Sequence, residues 1–260
     1  MTTSRYRLYT RALQVALPAV ILICWQVWSA HAGNFFFPRL DDILQAFYDN
    51  WIFARVTSDV LPSLARMLVG YGLAVGLALA IGVCLGLSNV LYRTSSPLIE
   101  FIRSIPVVAL IPFAILVFGI DSSMKIFIIV FGCIWPMLLN TIDGVRTLNQ
   151  TLRDTARIYK LTSWERLRFV VLPAASPQIF AGLRTGMSLA VILMVISEMV
   201  ASTNGIGFFV IQAQRTFAIT DMWSGIVLLG LLGYGLNTLL LYVERSLLAW
   251  HSKSRSSEGA

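Results

Sequence analysis

Charge is scarce in this chain of 260 residues: Asp, Glu, Lys and Arg make up 13% of it, against 57% hydrophobic residues. Soluble domains average about 25% charged residues, so the apolar excess is too large for one globular core and fits a chain solvated by lipid. Lysine is the rarest of these residues. Only Lys125, Lys160 and Lys253 occur, and none follows a glycine, which excludes a P-loop cradle for ATP phosphates. Cys24, Cys84 and Cys133 stand alone within apolar runs, and His31 and His251 lie far apart, so neither a disulfide framework nor a zinc site is suggested. Gly-x-Ser-x-Gly and His-Glu-x-x-His motifs are missing. The acidic pair Asp41-Asp42 lacks the second acidic cluster that a two-carboxylate metal enzyme needs, and helix capping accounts for it better.

The formal net charge is +7, but the basic residues are interleaved with long apolar runs rather than gathered on one face, which argues against nucleic-acid binding. What the chain does contain is a series of segments near the 20 residues that a membrane-crossing helix needs. Six qualify: residues 13–30, 61–87, 105–120, 124–142, 179–201 and 222–248. The first is read as a retained helix rather than a cleaved leader, because no small-residue cleavage site follows before Phe35-Phe36-Phe37. The third is short and carries Pro106 and Pro112, so it is expected to pack inside the bundle, where neighbours satisfy the freed carbonyls. Residues 31–60 should hold a short interfacial helix from Leu40 to Trp51. The expected organisation is a tail at 1–12, a first span with its connection at 13–60, a core membrane domain at 61–248 and a second tail at 249–260.

With the N-terminus placed in the cytoplasm, fifteen of the 20 Lys and Arg fall on the cytoplasmic side and five outside, so both termini should be cytoplasmic. The connection at 146–178 then faces the cytoplasm and is the most densely charged stretch. Within the spans, Gly72 and Gly76, Gly82 and Gly86, and Gly182 and Gly186 recur at a spacing that lets helices approach closely. Glu198 is the clearest ionisable residue inside an apolar segment. It is expected either to serve the solute pathway as a gate residue or to bond nearby backbone or Arg215.

The 146–178 connection reads Asp154-Thr155-Ala156-Arg157-Ile158-Tyr159-Lys160, then Ser163-Trp164-Glu165, then Val170-Val171-Leu172-Pro173. This resembles the EAA loop of binding-protein-dependent ABC importer permeases, with Asp154 in place of Glu, Thr155 in place of Ala and Lys160 where Gly is usual. Arg103-Ser104-Ile105-Pro106, Ala109-Leu110-Ile111-Pro112, Phe118-Gly119-Ile120, Ser197-Glu198-Met199, Asn204-Gly205-Ile206-Gly207 and the stretch from Tyr242-Val243-Glu244-Arg245 to Trp250 are similar to the nitrate, sulfonate and taurine permease group.

The resemblance implies an all-α membrane protein of six transmembrane helices with the MetI-like, type I importer architecture, in a bacterial inner membrane. It implies a second permease copy, two cytoplasmic ATPase chains that hold ATP and Mg, an extracytoplasmic binding protein and a small anionic solute like sulfonate, taurine or nitrate, with an aromatic acid or a vitamin precursor as the alternative within the same reading. It implies no cofactor in this chain. Asp154, Thr155, Ala156, Lys160, Ser163, Trp164, Glu165, Leu172 and Pro173 become candidates for coupling to the ATPase, and Arg103, Ser104, Pro106, Ser197, Glu198 and Met199 for the pathway. A docking helix is expected over 154–165, running through Lys160. Asp154 should lie near its start, Ala156 should allow close approach of a partner, Glu165 should make rim ion pairs, and Leu172-Pro173 should end the segment. The second reading is a secondary transporter or channel working alone, which would show more intramembrane charge or an internal repeat. A membrane-bound enzyme comes third.

The asymmetry of basic residues fixes an expected topology. In a chain whose native cysteines are replaced, Ser163→Cys should react with a membrane-impermeant maleimide only from the cytoplasmic side and Ser58→Cys only from the outside. The opposite labelling would overturn the orientation.

Overall fold

The structure, a computed structural model, describes residues 3–248, with side chains described from residue 13 onward except at 15 and 153. The expected tail at 249–260, Trp250 included, and the side chains of the first tail lie outside the described residues. The described chain is all-helical: α1 (Thr3–Ala32), α2 (Leu40–Asp49), α3 (Leu61–Leu87), α4 (Asn89–Arg103), α5 (Ile111–Phe118), α6 (Ser122–Arg146), α7 (Gln150–Ile158), α8 (Ser163–Arg166), α9 (Leu172–Val200), α10 (Ile206–Arg215) and α11 (Ile219–Leu247). Wide π-type turns at Val56–Val60 and Leu167–Val171 lead into α3 and α9 without a break.

Among the described residues, four helices are long and apolar enough to cross a membrane: Val56–Leu87, Ser122–Arg146, Ser163–Val200 and Ile219–Leu247. The stretch Ala16–Ala32 of α1 is a shorter apolar helix, and α4 with the segment Val107–Phe118 makes a fifth crossing only if the pair is read as one span bent by 79°. The expected third span is therefore corrected. It is a 3-10 turn at Val107–Leu110 followed by the eight residues of α5, with Pro106 at the break and a proline in α5's first turn. Only one face of α5 is inside: Ile111 and Ala114 are buried, whereas Phe113, Leu116 and Val117 are exposed. Proline sets the break because it removes a backbone donor and cannot continue the preceding turn.

The core is the contact of α3, α6 and α9, with α6 in the middle. Met67, Ala74 and Ala78 of α3 and Met124, Ile128, Ile129 and Cys133 of α6 are all buried to 0% exposure. The small residues permit backbone approach. A Cβ added at Gly82 would lie 2.7 Å from the Thr141 Cβ, and one at Gly86 would lie 2.6 Å from the Val145 Cβ. On the other side of α6, a Cβ at Gly182 would lie 2.8 Å from the Asn140 Cβ. Packing of this density, rather than a hydrophobic drive, associates helices in lipid. Gly72 and Gly76 differ from the expectation: nothing lies within 4 Å of a Cβ at either, and Gly70 takes the packing position against Ile129. The α3 register explains this, since 70, 74, 78, 82 and 86 repeat along one helical face and 72 and 76 lie off it.

The interfacial helix appears as α2. Asp41 accepts from the Gln26 Nε2 of α1 at 3.0 Å and pairs with Arg39, so its carboxyl is held below its ordinary value, chiefly by the Gln26 hydrogen bond. The Trp25 ring packs edge-on to Trp223 of α11, and the Trp223 Nε1 donates to the Phe36 carbonyl oxygen at 3.0 Å, which ties the end of α1 to the start of α11.

Gly82→Leu and Gly86→Leu should destabilise the chain by roughly 1–3 kcal/mol through overpacking. Gly72→Ala and Gly76→Ala, on the open face, should leave the melting temperature unchanged or raise it slightly. Melting curves of the purified chain in detergent check the contrast.

Candidate functional site

Two polar features stand at opposite ends of the α3–α6–α9 core. The first is a buried cluster where α3 and α6 begin and α9 ends. Arg66, 11% exposed, pairs with Glu198, 0% exposed, at 3.0 Å. The Glu198 carboxylate also accepts from the Ser63 Oγ at 2.7 Å and from the Gly207 backbone N–H at 3.0 Å. Arg66 spends its remaining donors on the Ser122 Oγ at 3.0 Å and the Asn204 Oδ1 at 2.6 Å. One guanidinium of α3 thereby reaches α6, α9 and the turn before α10.

The same cluster caps α10. A helix N-terminus exposes N–H groups with no partner inside the helix. Here the Gly205 N–H donates to the Asp59 Oδ1 at 2.8 Å, the Ile206 N–H to the Ser63 Oγ at 3.0 Å and the Gly207 N–H to Glu198. Two carboxylates at a helix N-terminus also suit its dipole. Gly205 is required twice over: its φ is +117°, and a Cβ there would sit 2.5 Å from the Glu198 carboxylate. Lys125 is buried beside this group, with its Nζ 3.5 Å from the Asp121 carbonyl oxygen.

Within this chain Glu198 bonds nearby backbone, as one of its two expected readings had it. It is enclosed in this chain, and its cationic partner is Arg66 rather than Arg215. Ser197 is buried with its Oγ on the Met194 carbonyl oxygen at 2.9 Å, and Met199 is half-buried. Arg103, Ser104 and Pro106 do not join the cluster. Arg103 pairs with Glu100 at 2.6 Å, the Ser104 Oγ donates to the Glu100 carbonyl oxygen, and Pro106 is exposed at the 79° bend. Ser63, Arg66 and Asp59 were missed as site residues. The signal was an arginine five residues into an apolar span, which must find a buried partner.

The second feature is the connection between α6 and α9. It holds two helices, not one. Asn149 caps α7, its Oδ1 accepting from the Thr151 N–H at 2.9 Å. The helix ends at Ile158, and Lys160 adopts φ +50°. The Lys160 N–H donates to the Arg157 carbonyl oxygen at 3.0 Å and the Leu161 N–H to that of Ala156 at 3.1 Å. This is the Schellman pair that closes a helix through a left-handed residue, which is why glycine suits the position. The expected helix through Lys160 is therefore corrected. Thr162 then opens α8 by a capping box with Glu165, whose carboxylate takes both the Thr162 N–H and Oγ.

Other expected roles shift with that turn. Asp154 lies mid-helix, accepting from Gln150 at 3.2 Å and 3.6 Å from Arg157. The Thr155 Oγ donates to the Thr151 carbonyl oxygen, Ser163 is the first residue of α8, and Glu165 makes a cap rather than a rim ion pair. Ala156 is buried within this chain at 3% exposure, as α7 packs back on the Leu167–Val171 turn, so its small size serves the hairpin's own closure. Leu172-Pro173 begins α9 rather than ending the segment, with proline in the first turn where its missing N–H costs nothing. Among the side chains that the hairpin exposes, beside charged ones such as Arg157 and Lys160, are the large apolar Ile158 (78%), Tyr159 (75%) and Trp164 (65%). Ile158 and Tyr159 were not singled out from the sequence, where the charges around them dominate.

Membrane-length apolar helices joined by a charged helical hairpin place the chain among multi-pass helical membrane proteins. The profile of the family described as "Binding-protein-dependent transport system inner membrane component" matches residues 72–248, and the chain belongs to that family. In these transport systems ATP hydrolysis resides in a separate ATPase subunit, and the permease works with that subunit and a binding protein. Among similar proteins, the nitrate import permease protein NrtB of Synechocystis sp. (strain ATCC 27184 / PCC 6803 / Kazusa) is 30% identical, covering 87% of this chain and 85% of its own. The putative aliphatic sulfonates transport permease protein SsuC of Bacillus subtilis (strain 168) is 29% identical over 91% of this chain and 86% of its own. The bicarbonate transport system permease protein CmpB of Synechococcus elongatus (strain ATCC 33912 / PCC 7942 / FACHB-805) is 32% identical over 72% of this chain and 68% of its own. The fold is shared with the inward-facing MetNI methionine ABC transporter, at a TM-score of 0.62 and 24% identity over 73% of this chain and 94% of that one.

The cluster makes a test that separates its members. Gly205→Ala should lower the melting temperature sharply, because both φ and the Glu198 carboxylate oppose a Cβ, at a cost of roughly 2–3 kcal/mol. Arg215→Ala should change it little. Equal effects would show that Glu198 does not depend on this packing.

Proposed function

We propose that this chain forms half of the membrane path for a small anionic solute, with a second copy of itself as the other half. In this reading both termini and the 146–178 connection face the cytoplasm, where two ATPase chains dock, and a binding protein delivers the solute to the opposite side. The relatives named for sulfonates, nitrate and bicarbonate support an anionic solute. The basic asymmetry of the sequence supports the orientation.

One observation carries the coupling assignment: a charged hairpin between two spans presents Ile158, Tyr159 and Trp164 to solvent. Exposed large apolar residues grouped on a charged loop mark a protein-docking surface. In this proposal the α7–α8 hairpin seats in the ATPase, with these three side chains as its apolar contacts. Lys160 sets the angle between the two helices, and Asp154, Arg157 and the neighbouring basic residues form the rim. ATP is the ligand whose differential affinity for two ATPase arrangements drives the cycle, since only such a difference shifts a conformational equilibrium. The hairpin transmits the shift to α9, with which α8 is continuous.

Tyr159→Asp and Trp164→Asp should each release the ATPase on co-purification while leaving the chain's melting temperature unchanged. Lys160→Gly should retain it, because glycine relieves a left-handed residue at a gain of up to about 1 kcal/mol. Retention of the ATPase by both aspartate variants would show that the hairpin is not the docking element.

A further inference from the structure

Between the hairpin and the ends of α3 and α6 lies a cavity of about 290 Å³, of whose lining residues the coupling assignment names only Arg157, at its rim. It is lined by Arg157 and Arg166 from the hairpin, Arg146 from the end of α6, Gly86 and Leu87 from the end of α3, and Asn89 from the start of α4. We propose that this cavity is an oxyanion site. The group it takes is a phosphate or sulfate-like oxyanion, presented by an anionic phospholipid head or by a free small ion, and held between the hairpin and the ends of α3, α4 and α6.

Three observations converge. First, three guanidiniums line one small cavity, and none of the nearby acids, Asp143, Asp154 or Glu165, does. Arginine presents a planar fork that matches oxyanions in two-point contacts. Second, Glu165 is committed to Thr162, and Asp154 meets the cavity's Arg157 only in a long, solvent-exposed pair at 3.6 Å while accepting from Gln150. Residues 146–178 carry six basic and two acidic side chains, so the local excess is positive. Arg146 is fixed, its guanidinium 4.1 Å from the Tyr92 ring centroid of α4. Third, α4 begins at this cavity and has no acidic residue in its first turn. Its N-terminal dipole therefore adds to the arginines.

The site also has the right place. The ends of α3 and α6 and the start of α4 mark where apolar spans give way to a polar connection, the level at which lipid phosphates lie. A bound oxyanion there contacts the hairpin and the spans together, and so fixes one to the other. The inference rests on this chain's own residues and stands whether or not the hairpin is the ATPase dock.

The test uses the full chain in detergent and the double variant Arg157→Gln/Arg166→Gln, with Arg168→Gln as control. Arg168 lies over Phe169, outside the cavity. Retained phosphatidylglycerol is counted by native mass spectrometry. The melting shift caused by sodium sulfate is measured against sodium chloride at equal ionic strength. Anion affinity should fall roughly fivefold per arginine removed. Arg168→Gln should bind as the wild type does, and all variants should melt alike without added anion. Phosphatidylglycerol retention lost only in the double variant supports the site and identifies a lipid source. A sulfate shift lost only in the double variant supports it with a free ion. Binding that is absent, equal in all variants or equally reduced in Arg168→Gln overturns the proposal, and a partner's carboxylate then becomes the remaining occupant of the cavity.

Discussion

The Arg66–Glu198 pair is the constraint on which the rest of the structure depends. The two charges form the direct ion pair, at 3.0 Å, of a buried cluster that also holds Lys125 and Asp59. Breaking such a buried pair by removing one partner typically costs about 3–5 kcal/mol, because the other charge is left uncompensated. The surrounding donors make the pair more than an isolated bridge. Ser63, Gly207, Ser122 and Asn204 satisfy its remaining lone pairs and protons, so the cluster meets the condition under which buried polar groups specify a single arrangement.

The consequence is mechanical. The three helices of the core are joined by ion pair and hydrogen bonds at one end, and by close glycine contacts along the rest of their length. Packed elements of this kind move as units rather than bending continuously. Under the proposed coupling, a displacement of the start of α9 would reach α3 and α6 as rigid-body motion. The exposed faces of α5 and α11, which lack neighbours in a single chain, are where the block meets lipid or another subunit.

The spans were legible in the sequence because lipid imposes length and apolarity, which a single chain records directly. The 146–178 connection was legible through its charge and its family resemblance. The turn at Lys160 was not: lysine is unremarkable in a helix, and only the backbone shows that the chain enters the left-handed region there. Glu198 could be singled out as a charge in an apolar run, but its partner could not. Arg66 is 132 residues away and was counted as one more basic residue outside the membrane. Asp59 and Ser63 carry no local pattern at all, because their role is to meet the N–H groups of α10, 146 and 143 residues on. Short-range rules read helices and caps; the cluster is a product of how four elements meet.

A double-mutant cycle on Arg66 and Glu198 addresses this account most directly. Arg66→Met, Glu198→Leu and the double variant are unfolded by titration with sodium dodecyl sulfate from mild detergent micelles. The account predicts that each single variant loses several kcal/mol, roughly 3–5. It predicts that the double variant loses less than their sum, by a coupling energy of about 1–3 kcal/mol. Additive losses, or a single variant as stable as the parent chain, would contradict it.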